Sequence, residues 1–301
     1  MIQQKNGQIN IVLHDKRVKT NKKNESNTLK NNPLKHIDQE FSSFIGLEKL
    51  KNIIKEIYAT KIINEKRKQL GLSCKNQALH MLFKGNPGTG KTTIARKLAK
   101  FYFDMNILSK GHFIEAERAD LVGEYIGQTA QKTRAMIQKS LGGILFIDEA
   151  YSLARGGEKD FGKEAIDTLV THMENNHQDF VLILAGYPYE MDNFLLLNPG
   201  LKSRFPFIID FQDFSVDQLI DIAKQMVAER EYELTKEAAW KLRIHLVENK
   251  NEKQHNFANA RYVRNLIEQS IRMHAIRLIY NDDFTTNDLI KLTEEDLHVD
   301  E

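Results

Sequence analysis

The sequence predicts an α/β fold, in which a parallel five-stranded sheet lies between helices and a small all-helical domain follows. The first observation is a set of short apolar runs, at residues 80–84, 112–116, 144–147, 181–185 and 207–209. Nearly continuous apolar runs of this length are typical of strands buried on both faces, and helical stretches between them favour a parallel sheet. The second observation is a change near residue 212, after which apolar residues recur at helical spacing as far as Leu278.

Apolar faces predict the individual helices. A helix ahead of the first strand has a face formed by Leu47, Leu50, Ile54 and Ile57. Another helix follows the first strand, with a face formed by Ile94, Ala95, Leu98, Phe101 and Tyr102. Ser215 and Gln218 have the spacing of a capping box, which predicts that the C-terminal domain begins with a helix.

The 301 residues divide into three predicted parts, namely a tail (1–36), an α/β domain (37–211) and a helical domain (212–301). The tail carries eight Lys and Arg against two acidic residues, a net charge of 8 − 2 = +6 in a chain whose total is +2. Its richness in Asn, Lys and Gln is typical of a solvated, flexible segment, although residues 8–13 have the pattern of a local strand. Binding of nucleic acid or of an anionic membrane by the tail is the alternative.

The composition also indicates the cellular compartment in which the protein is expected. No apolar run of the sequence approaches the roughly 18 residues that a bilayer span requires, and the first residues lack the apolar segment of a secretory signal. Cys74 is the only cysteine, which excludes an internal disulfide and is typical of a reducing compartment. We therefore expect a cytoplasmic location.

Residues 85–92, GNPGTGKT, match the G-x-x-x-x-G-K-T pattern of a phosphate-binding loop, or Walker A motif. Glycines let successive backbone N–H groups turn inward around phosphate oxygens. Lys91 would reach the β- and γ-phosphates, and Thr92 would place its hydroxyl on Mg²⁺. Because the loop precedes a predicted helix, the helix N-terminus would point at the phosphates. The predicted nucleotide-binding residues of this segment are Asn86, Pro87, Gly88, Thr89, Gly90, Lys91, Thr92 and Thr93.

An acidic pair, Asp148 and Glu149, follows the third predicted strand directly and has the pattern of a Walker B motif. Asp148 would hold the metal ion. Glu149 would orient and polarise the attacking water. The alternative is a pair of acidic residues that caps a helix after a strand.

The order of these motifs resembles that of an AAA+ ATPase, specifically of the CbxX/CfxQ family. The likeness runs from residue 38 to residue 280 and depends on residues 85–92, 121–127, 144–149, 198–205 and 259–265. It implies a nucleotide-binding core followed by a helical lid, ATP and Mg²⁺ as ligands, and a homo-oligomer, expected to be a hexameric ring. It also implies that Gly46 lies near the adenine, that Arg204 is an arginine finger directed at the next subunit's nucleotide, and that Arg261 is the sensor arginine over the phosphates.

The resemblance further implies a pore loop at Tyr125, Ile126 and Gly127. A ring of such tyrosines would grip an extended peptide by apolar contact. A tyrosine buried in the core is the alternative, but the flanking Glu124 and glycines favour an exposed loop. Residues 155–158 are the candidate for a second pore loop.

The end of the fourth predicted strand departs from the wider AAA+ pattern. Many members have a polar sensor residue there that positions water, whereas residues 185–188 of this chain are Ala-Gly-Tyr-Pro. Tyr187 is the candidate for that role.

These observations together favour a Mg²⁺-dependent ATPase that remodels or threads a polypeptide through a ring pore, with a role in sporulation implied only by the resemblance. A red-type Rubisco activase, from the same family, is an alternative. A nucleic-acid motor and a slow ATP-binding switch are alternatives of other classes. Acidic residues in or near the candidate loops argue against nucleic acid, namely Glu124, Glu149, Glu158 and Asp160.

Overall fold

The computed structural model describes residues 37–38, 40–41, 47–75, 77–156, 160–197, 199–252, 257–280 and 283–298. The chain forms two compact units, residues 1–42 and residues 43–301. In the first unit, the Phe41 N–H donates to the Ile37 carbonyl oxygen at 3.0 Å. The predicted tail and Gly46 lie outside the described residues. The rest of the description concerns the second unit.

The five predicted strands are confirmed, and all of them pair in parallel. They are β1 (Met81–Gly85), β2 (Phe113–Ala116), β3 (Ile144–Ile147), β4 (Val181–Gly186) and β5 (Phe207–Phe211). Their spatial order is β2-β3-β4-β1-β5. Because the strands are parallel, the segments that follow β1, β3 and β4 meet at one edge of the sheet.

Helices cover the sheet. They are α1 (Glu48–Gln69), α2 (Lys91–Asp104), α3 (Arg118–Leu121), α4 (Gln128–Ser140), α5 (Gly162–Asn175), α6 (Pro188–Leu197) and α7 (Pro199–Arg204), with a 3₁₀ turn at Ala150–Ala154. The predicted face of α1 is buried at Leu50, Ile54 and Ile57. Every residue of β3 and β4 is buried. Burial of a leucine such as Leu145 contributes about 2 kcal/mol to folding.

The C-terminal part forms a helical lid with its own apolar core. Its helices are α8 (Val216–Ala228), α9 (Lys236–Glu252), α10 (Asn259–Tyr280) and α11 (Thr286–Ile290). The Ser215–Gln218 capping box at the start of α8 is confirmed, with both of its hydrogen bonds present. Trp240 lies on α9 and is 64% exposed.

One detail of the lid differs from the prediction of an all-helical domain. Two short strands, β6 (Glu233–Leu234) and β7 (Lys291–Leu292), pair in parallel. Two-residue strands are too short to produce the alternation by which a strand is recognised in a sequence. The β7 strand is followed by a 3₁₀ turn, Glu294–Asp296, which returns the chain to α10.

An ion pair fixes that turn. The Arg277 guanidinium on α10 donates to both carboxylate oxygens of Asp296, at 2.7 and 2.9 Å, and Asp296 is only 1% exposed. Burial acts to raise the pKa of Asp296, but its hydrogen bonds from Arg277 and Thr293 outweigh burial and hold that pKa below its usual value. The pair thus joins the end of the lid to its longest helix.

The α/β layer and the lid have separate apolar clusters. The boundaries proposed at residues 36 and 211 remain predictions. Among the helices that the structure describes, none is long and apolar enough to cross a membrane.

Candidate active site

The phosphate loop joins the centre of the sheet to α2. β1 ends at Gly85, where a Cβ would lie 2.6 Å from the carbonyl oxygen of Phe211 on the neighbouring strand, so the strand pair leaves no room for a side chain. Gly90 has φ 93°, a left-handed conformation that glycine adopts without strain, and α2 begins at the next residue. The loop therefore directs the N-terminus of α2 over the carboxyl edge of the sheet.

Lys91 is the first residue of α2 and is only 8% exposed. Its ammonium donates to the carbonyl oxygens of Gly85 at 2.7 Å and Asn86 at 2.9 Å. Burial lowers the pKa of Lys91, and the charge of the Asp148 carboxylate opposes that change. A cation thus lies at the inner turn of the loop, close to the acidic pair after β3.

The lid contacts the phosphate loop at Gly88. This residue has φ 71°, and a Cβ there would overlap the carbonyl oxygen of Ala258 and lie 2.7 Å from the backbone nitrogen of Arg261. The Gly88 carbonyl accepts a hydrogen bond from the Ala260 N–H at 3.2 Å. The first turn of α10 is therefore held against the loop at backbone distance.

The acidic pair follows β3, as expected from the sequence. Asp148 is half-buried, Glu149 is exposed, and the Glu149 N–H donates to Asp148 Oδ1 at 2.9 Å. Glu149 has φ 46°, a left-handed conformation that is uncommon for a non-glycine residue and that occurs often at active sites. The pair begins a 3₁₀ turn and does not cap an α-helix.

A pocket of about 240 Å³ brings most of the predicted nucleotide-binding residues together. Its walls come from the phosphate loop, the acidic pair, the end of β4 and the first turns of α10. The predicted residues that line it are Pro87, Gly88, Gly90, Lys91, Thr92, Thr93, Asp148, Glu149, Tyr187 and Arg261. Asn86 does not line it, because its amide donates to Asp213. Thr89 donates its hydroxyl hydrogen to the Asn86 carbonyl at 2.8 Å and so braces the loop.

Sequence reasoning missed Arg264, which also lines this pocket. Arg264 lies three residues after Arg261 on α10, and residues at this spacing lie on one face of a helix. That spacing is the signal by which the sequence points to Arg264.

An adjoining pocket of about 380 Å³ lies between the phosphate loop and the lid. Its apolar walls include Leu47, Ile222, Met226 and Ile267, while Arg264 and Thr93 line both pockets. Apolar walls beside a phosphate site have the character of a pocket for a nucleobase. These residues were assigned from the sequence only to apolar helix faces, because helical spacing does not indicate what such a face contacts.

The donor chemistry of the phosphate pocket fits a magnesium ion. Mg²⁺ in nucleotide sites is usually held by one or two protein oxygens together with substrate phosphates and water. Thr92 and Asp148 contribute a hydroxyl and a carboxylate to the same pocket. Thr92 would reach the ion from the start of α2, and Asp148 from the end of β3.

At the end of β4, the candidate sensor Tyr187 lines the phosphate pocket and stacks on Tyr151. Their ring centroids are 5.9 Å apart and their planes differ by 30°. The guanidinium of Arg155 lies 4.8 Å from the centroid of the Tyr151 ring. Burial, and then the charge of Glu149, raise the pKa of the Tyr151 hydroxyl. A stack of two tyrosines and an arginine therefore lies beside the catalytic candidate Glu149.

Arg204 is the last residue of α7. Its guanidinium pairs with the Glu174 carboxylate and donates to the Gly200 carbonyl at 2.6 Å. Arg204 does not occur among the described residues that line the phosphate pocket. Within this chain, the structure thus does not bring Arg204 to the other site residues.

The predicted pore loop carries an exposed apolar tip. Tyr125 is 67% exposed and Ile126 is 89% exposed, whereas the alternative was a tyrosine buried in the core. At the base of the loop, the Gly123 N–H donates to Thr129 Oγ1 at 3.0 Å. Gly127 has φ 84° and precedes α4. The loop is thus a short turn with a closed base and two unburied apolar side chains.

Arg118, in the short helix that precedes this loop, contacts the segment after Glu149. It lies on α3, and it donates to the Ser152 carbonyl in the 3₁₀ turn at 2.5 Å and to Asp160 Oδ1 at 2.5 Å. Asp160 in turn accepts from the Gly156 N–H at 2.8 Å. The hydrogen bond from Arg118 is the main cause that lowers the pKa of Asp160. Of the candidate second loop, residues 157 and 158 lie outside the described residues.

The fold and this site define the class of protein, and comparison with protein families agrees. Residues 81–213 match the ATPase family associated with various cellular activities (AAA), and residues 215–301 match the AAA lid domain. The chain belongs to the AAA ATPase family. It is a nucleotide-binding protein and an ATPase.

Curated relatives narrow this class to the predicted CbxX/CfxQ family. The chain is 59% identical to stage V sporulation protein K of Bacillus subtilis (strain 168), over 98% of this chain and 95% of that protein. It is 44% identical to a CfxQ homolog of Guillardia theta, over 87% and 89% of the two chains. It is 43% identical to the chloroplastic ribulose bisphosphate carboxylase/oxygenase activase of Cyanidioschyzon merolae (strain NIES-3377 / 10D), over 88% and 89%.

Proposed function

We propose that this protein uses Mg²⁺-dependent ATP hydrolysis to remodel or thread a polypeptide through the pore of a homo-oligomeric ring, expected to be a hexamer. The observation that carries the proposal is the exposed Tyr125–Ile126 tip, because two unburied apolar side chains on a closed loop suit contact with an extended chain. Arg118 supports it by linking the helix that precedes that loop to the turn after Glu149.

Within the site, each residue has a proposed task. Lys91 binds the β- and γ-phosphate oxygens, and the N-terminus of α2 adds backbone donors. Glu149 accepts the proton of the attacking water. Arg261 contacts the phosphates from the lid, and Arg204 reaches the nucleotide of the neighbouring subunit. Arg204 pairs with Glu174 on the surface of its own subunit, which is compatible with a role outside its own pocket.

Thr92 and Asp148 would hold the magnesium ion. When bound, Mg²⁺ neutralises charge on the phosphate oxygens. Asp148 keeps its Oδ1 oriented by the hydrogen bond from the Glu149 N–H. The metal ligand and the proposed base are thereby held as one unit.

The biological role is proposed to lie in sporulation, since the 59% identity to the Bacillus protein covers nearly the whole chain. Rubisco activation is the second candidate, and it is supported by the 43% identity to the chloroplastic activase of Cyanidioschyzon merolae. The two candidates share the same ATP chemistry. They differ in the polypeptide that the ring would engage.

The central experiment compares ATP turnover and peptide handling in matched variants. Glu149→Gln should bind ATP but hydrolyse it at least about a hundredfold more slowly, since it lacks the base. Lys91→Ala should bind ATP weakly. Tyr125→Ala should hydrolyse ATP normally yet lose ATP-dependent unfolding of a folded green fluorescent protein probe that carries an unstructured tail. Tyr280→Ala removes an even more exposed tyrosine from the lid and should keep that activity. Equal probe unfolding by Tyr125→Ala and wild type would contradict the pore-loop role.

Mixing variants tests the shared site. Arg204→Ala subunits should bind ATP but not turn it over, and mixing them with Glu149→Gln subunits should restore part of the activity if sites form between subunits. Normal turnover by Arg204→Ala alone would remove the proposed role in trans. Stimulation of turnover by duplex or single-stranded DNA with a steep salt dependence would favour the nucleic-acid motor instead.

A further inference from the structure

The start of the lid helix α10 carries a buried polar side chain with no role in the site described so far. Asn259 is 0% exposed and has φ 47°. Its side-chain nitrogen donates to Asp213 Oδ1 at 2.7 Å, to the Phe257 carbonyl at 3.0 Å and to the Pro87 carbonyl at 3.3 Å. Its side-chain oxygen accepts from the Phe214 N–H at 2.9 Å. One amide thus bonds to the phosphate loop and to the segment that connects β5 to the lid.

Asp213 is the centre of this arrangement. Its carboxylate accepts the amide of Asn259 and also the amide of Asn86, the latter at 3.1 Å to Oδ1 and 2.9 Å to Oδ2. Asn86 belongs to the phosphate loop, and its carbonyl accepts from Lys91. A single carboxylate therefore joins the loop that surrounds the phosphates to the first residue of α10.

We propose that Asn86, Asp213 and Asn259 form a latch that sets the position of Arg261 relative to the phosphate loop. In this role Asn259 is a positioning residue, which acts through Arg261 and does not touch the nucleotide. The inference rests on the proposed function of Arg261 at the phosphates.

The geometry favours a coupling between the lid and the phosphate loop over a local helix cap. A cap at the start of a helix bonds to the first free N–H groups of that same helix. The Asn259 side chain donates to one near neighbour, the Phe257 carbonyl, but its other partners are Pro87, Asp213 and Phe214, and all four lie outside α10. Arg261 is two residues further along the helix, so a shift of the Asn259 anchor moves the arginine with it. The latch would then transmit a movement of the phosphate loop to the lid, and a movement of the lid to the phosphate loop.

The first test removes the amide and keeps the backbone conformation. Glycine adopts a positive φ without strain, so Asn259→Gly removes the side-chain hydrogen bonds, to Phe257 as well as to the latch partners, without straining the backbone. We expect ATP affinity to fall about tenfold, as for the loss of buried hydrogen bonds, and ATP turnover to fall with it. The matched control is Asn106→Gly, because Asn106 also has a positive φ, of 52°, but lies exposed after α2. That control should bind and hydrolyse ATP like the wild type.

A double variant separates positioning from plain stability. If Asn259 acts through Arg261, then Asn259→Gly should cause no further loss of ATP affinity in an Arg261→Ala background. The latch would be overturned if the losses of ATP affinity from Asn259→Gly and Arg261→Ala added in full in the double variant. It would also be overturned if Asn259→Gly itself bound ATP like the wild type. If Arg261→Ala alone leaves ATP affinity unchanged, the proposed role of Arg261 fails. In that case the latch is tested by hydrogen exchange of the first turn of α10. ATP should slow that exchange in the wild type and not in Asn259→Gly. If ATP slows the exchange equally in both proteins, the latch proposal is overturned.

A second variant addresses the possibility that Asn259→Gly folds poorly. Asp213→Asn keeps the size of the side chain, and its carbonyl oxygen can still accept from Asn259. Its NH₂ group then takes the place of Oδ2, so the shorter of the two hydrogen bonds from Asn86 is lost, while the one to Oδ1 at 3.1 Å remains. We expect ATP affinity to fall severalfold, less than in Asn259→Gly because part of the arm remains, with a melting temperature close to that of the wild type. Wild-type ATP affinity in this variant would also contradict the latch.

Discussion

Lowering the pH from about 7.5 to about 5 probes the buried environment of His80. His80 precedes β1 and is 0% exposed. Its Nδ1 accepts from the Leu182 N–H of β4 at 3.0 Å, and its Nε2 lies 3.3 Å from the Met173 carbonyl at the end of α5, so the neutral ring with hydrogen on Nε2 satisfies both. Burial lowers the pKa of His80 from 6.5 to about 4, although the Met173 hydrogen bond acts to raise it.

The sign of the effect follows from this depressed pKa. The unfolded chain binds a proton at His80 below pH 6.5, whereas the folded protein does not until pH is near 4. Stability is therefore lost as the pH falls through this window. Each unit of pKa difference is worth about 1.4 kcal/mol of unfolding free energy. The loss of unfolding free energy is therefore about 2 kcal/mol at pH 5, and it approaches about 3 kcal/mol when His80 is protonated in both the folded and the unfolded state.

Urea unfolding followed by circular dichroism measures this loss at the two pH values. His80→Gln removes the titrating ring, so its unfolding free energy should change by about 2 kcal/mol less than that of the wild type between them. His298→Gln, which removes an exposed histidine from the lid, should behave like the wild type. If His80→Gln and the wild type lose the same free energy on acidification, the reasoning about burial is refuted.

Three further predictions concern contacts in the lid, in the phosphate loop and beside the predicted pore loop. Asp296→Asn should destabilise the protein by about 3 kcal/mol in thermal or urea unfolding, because the partly exposed guanidinium of Arg277 loses its buried, charged partner. Since the pKa of Asp296 is held low, the contribution of the pair should also disappear as pH falls below 3.8. Gly88→Ala should weaken ATP binding in a fluorescence titration, because a Cβ would overlap the backbone of the lid; unchanged affinity would contradict the close contact. Arg118→Gln should leave ATP binding intact but make hydrogen exchange of residues 122–127 independent of nucleotide, and a wild-type response would exclude Arg118 as the link between Asp160, the turn and the loop.

The sequence predicted the features that depend on neighbours along the chain. The strands were recognised because each is a continuous apolar run, and the phosphate loop because its glycines and Lys91 are contiguous. The position of Asp148 and Glu149 at the same edge followed from parallel pairing, since β3 and β1 both end there. The Ser215 capping box is likewise a local signal.

Features that depend on distant residues were not accessible in this way. Leu47 and Met226 lie on the wall of one pocket although 179 residues separate them (226 − 47), and helical spacing predicts only that each faces something apolar. The burial of His80 depends on Leu182, 102 residues away. The bonds from Asn259 to Asp213 and Pro87 likewise join three separate segments, and nothing in the local sequence of any one of them reveals its partners.

The separate apolar core of the lid has a practical consequence because of Trp240. It is the single tryptophan of the chain, and it lies largely exposed on α9. Its emission therefore originates in the lid, whereas far-ultraviolet dichroism records the helices of lid and α/β layer together. A difference between these two signals during heating would show the lid melting by itself, and a common midpoint would show that the two cores unfold as one cooperative unit. The natural chain thus carries its own optical label on the part that contacts the phosphate loop.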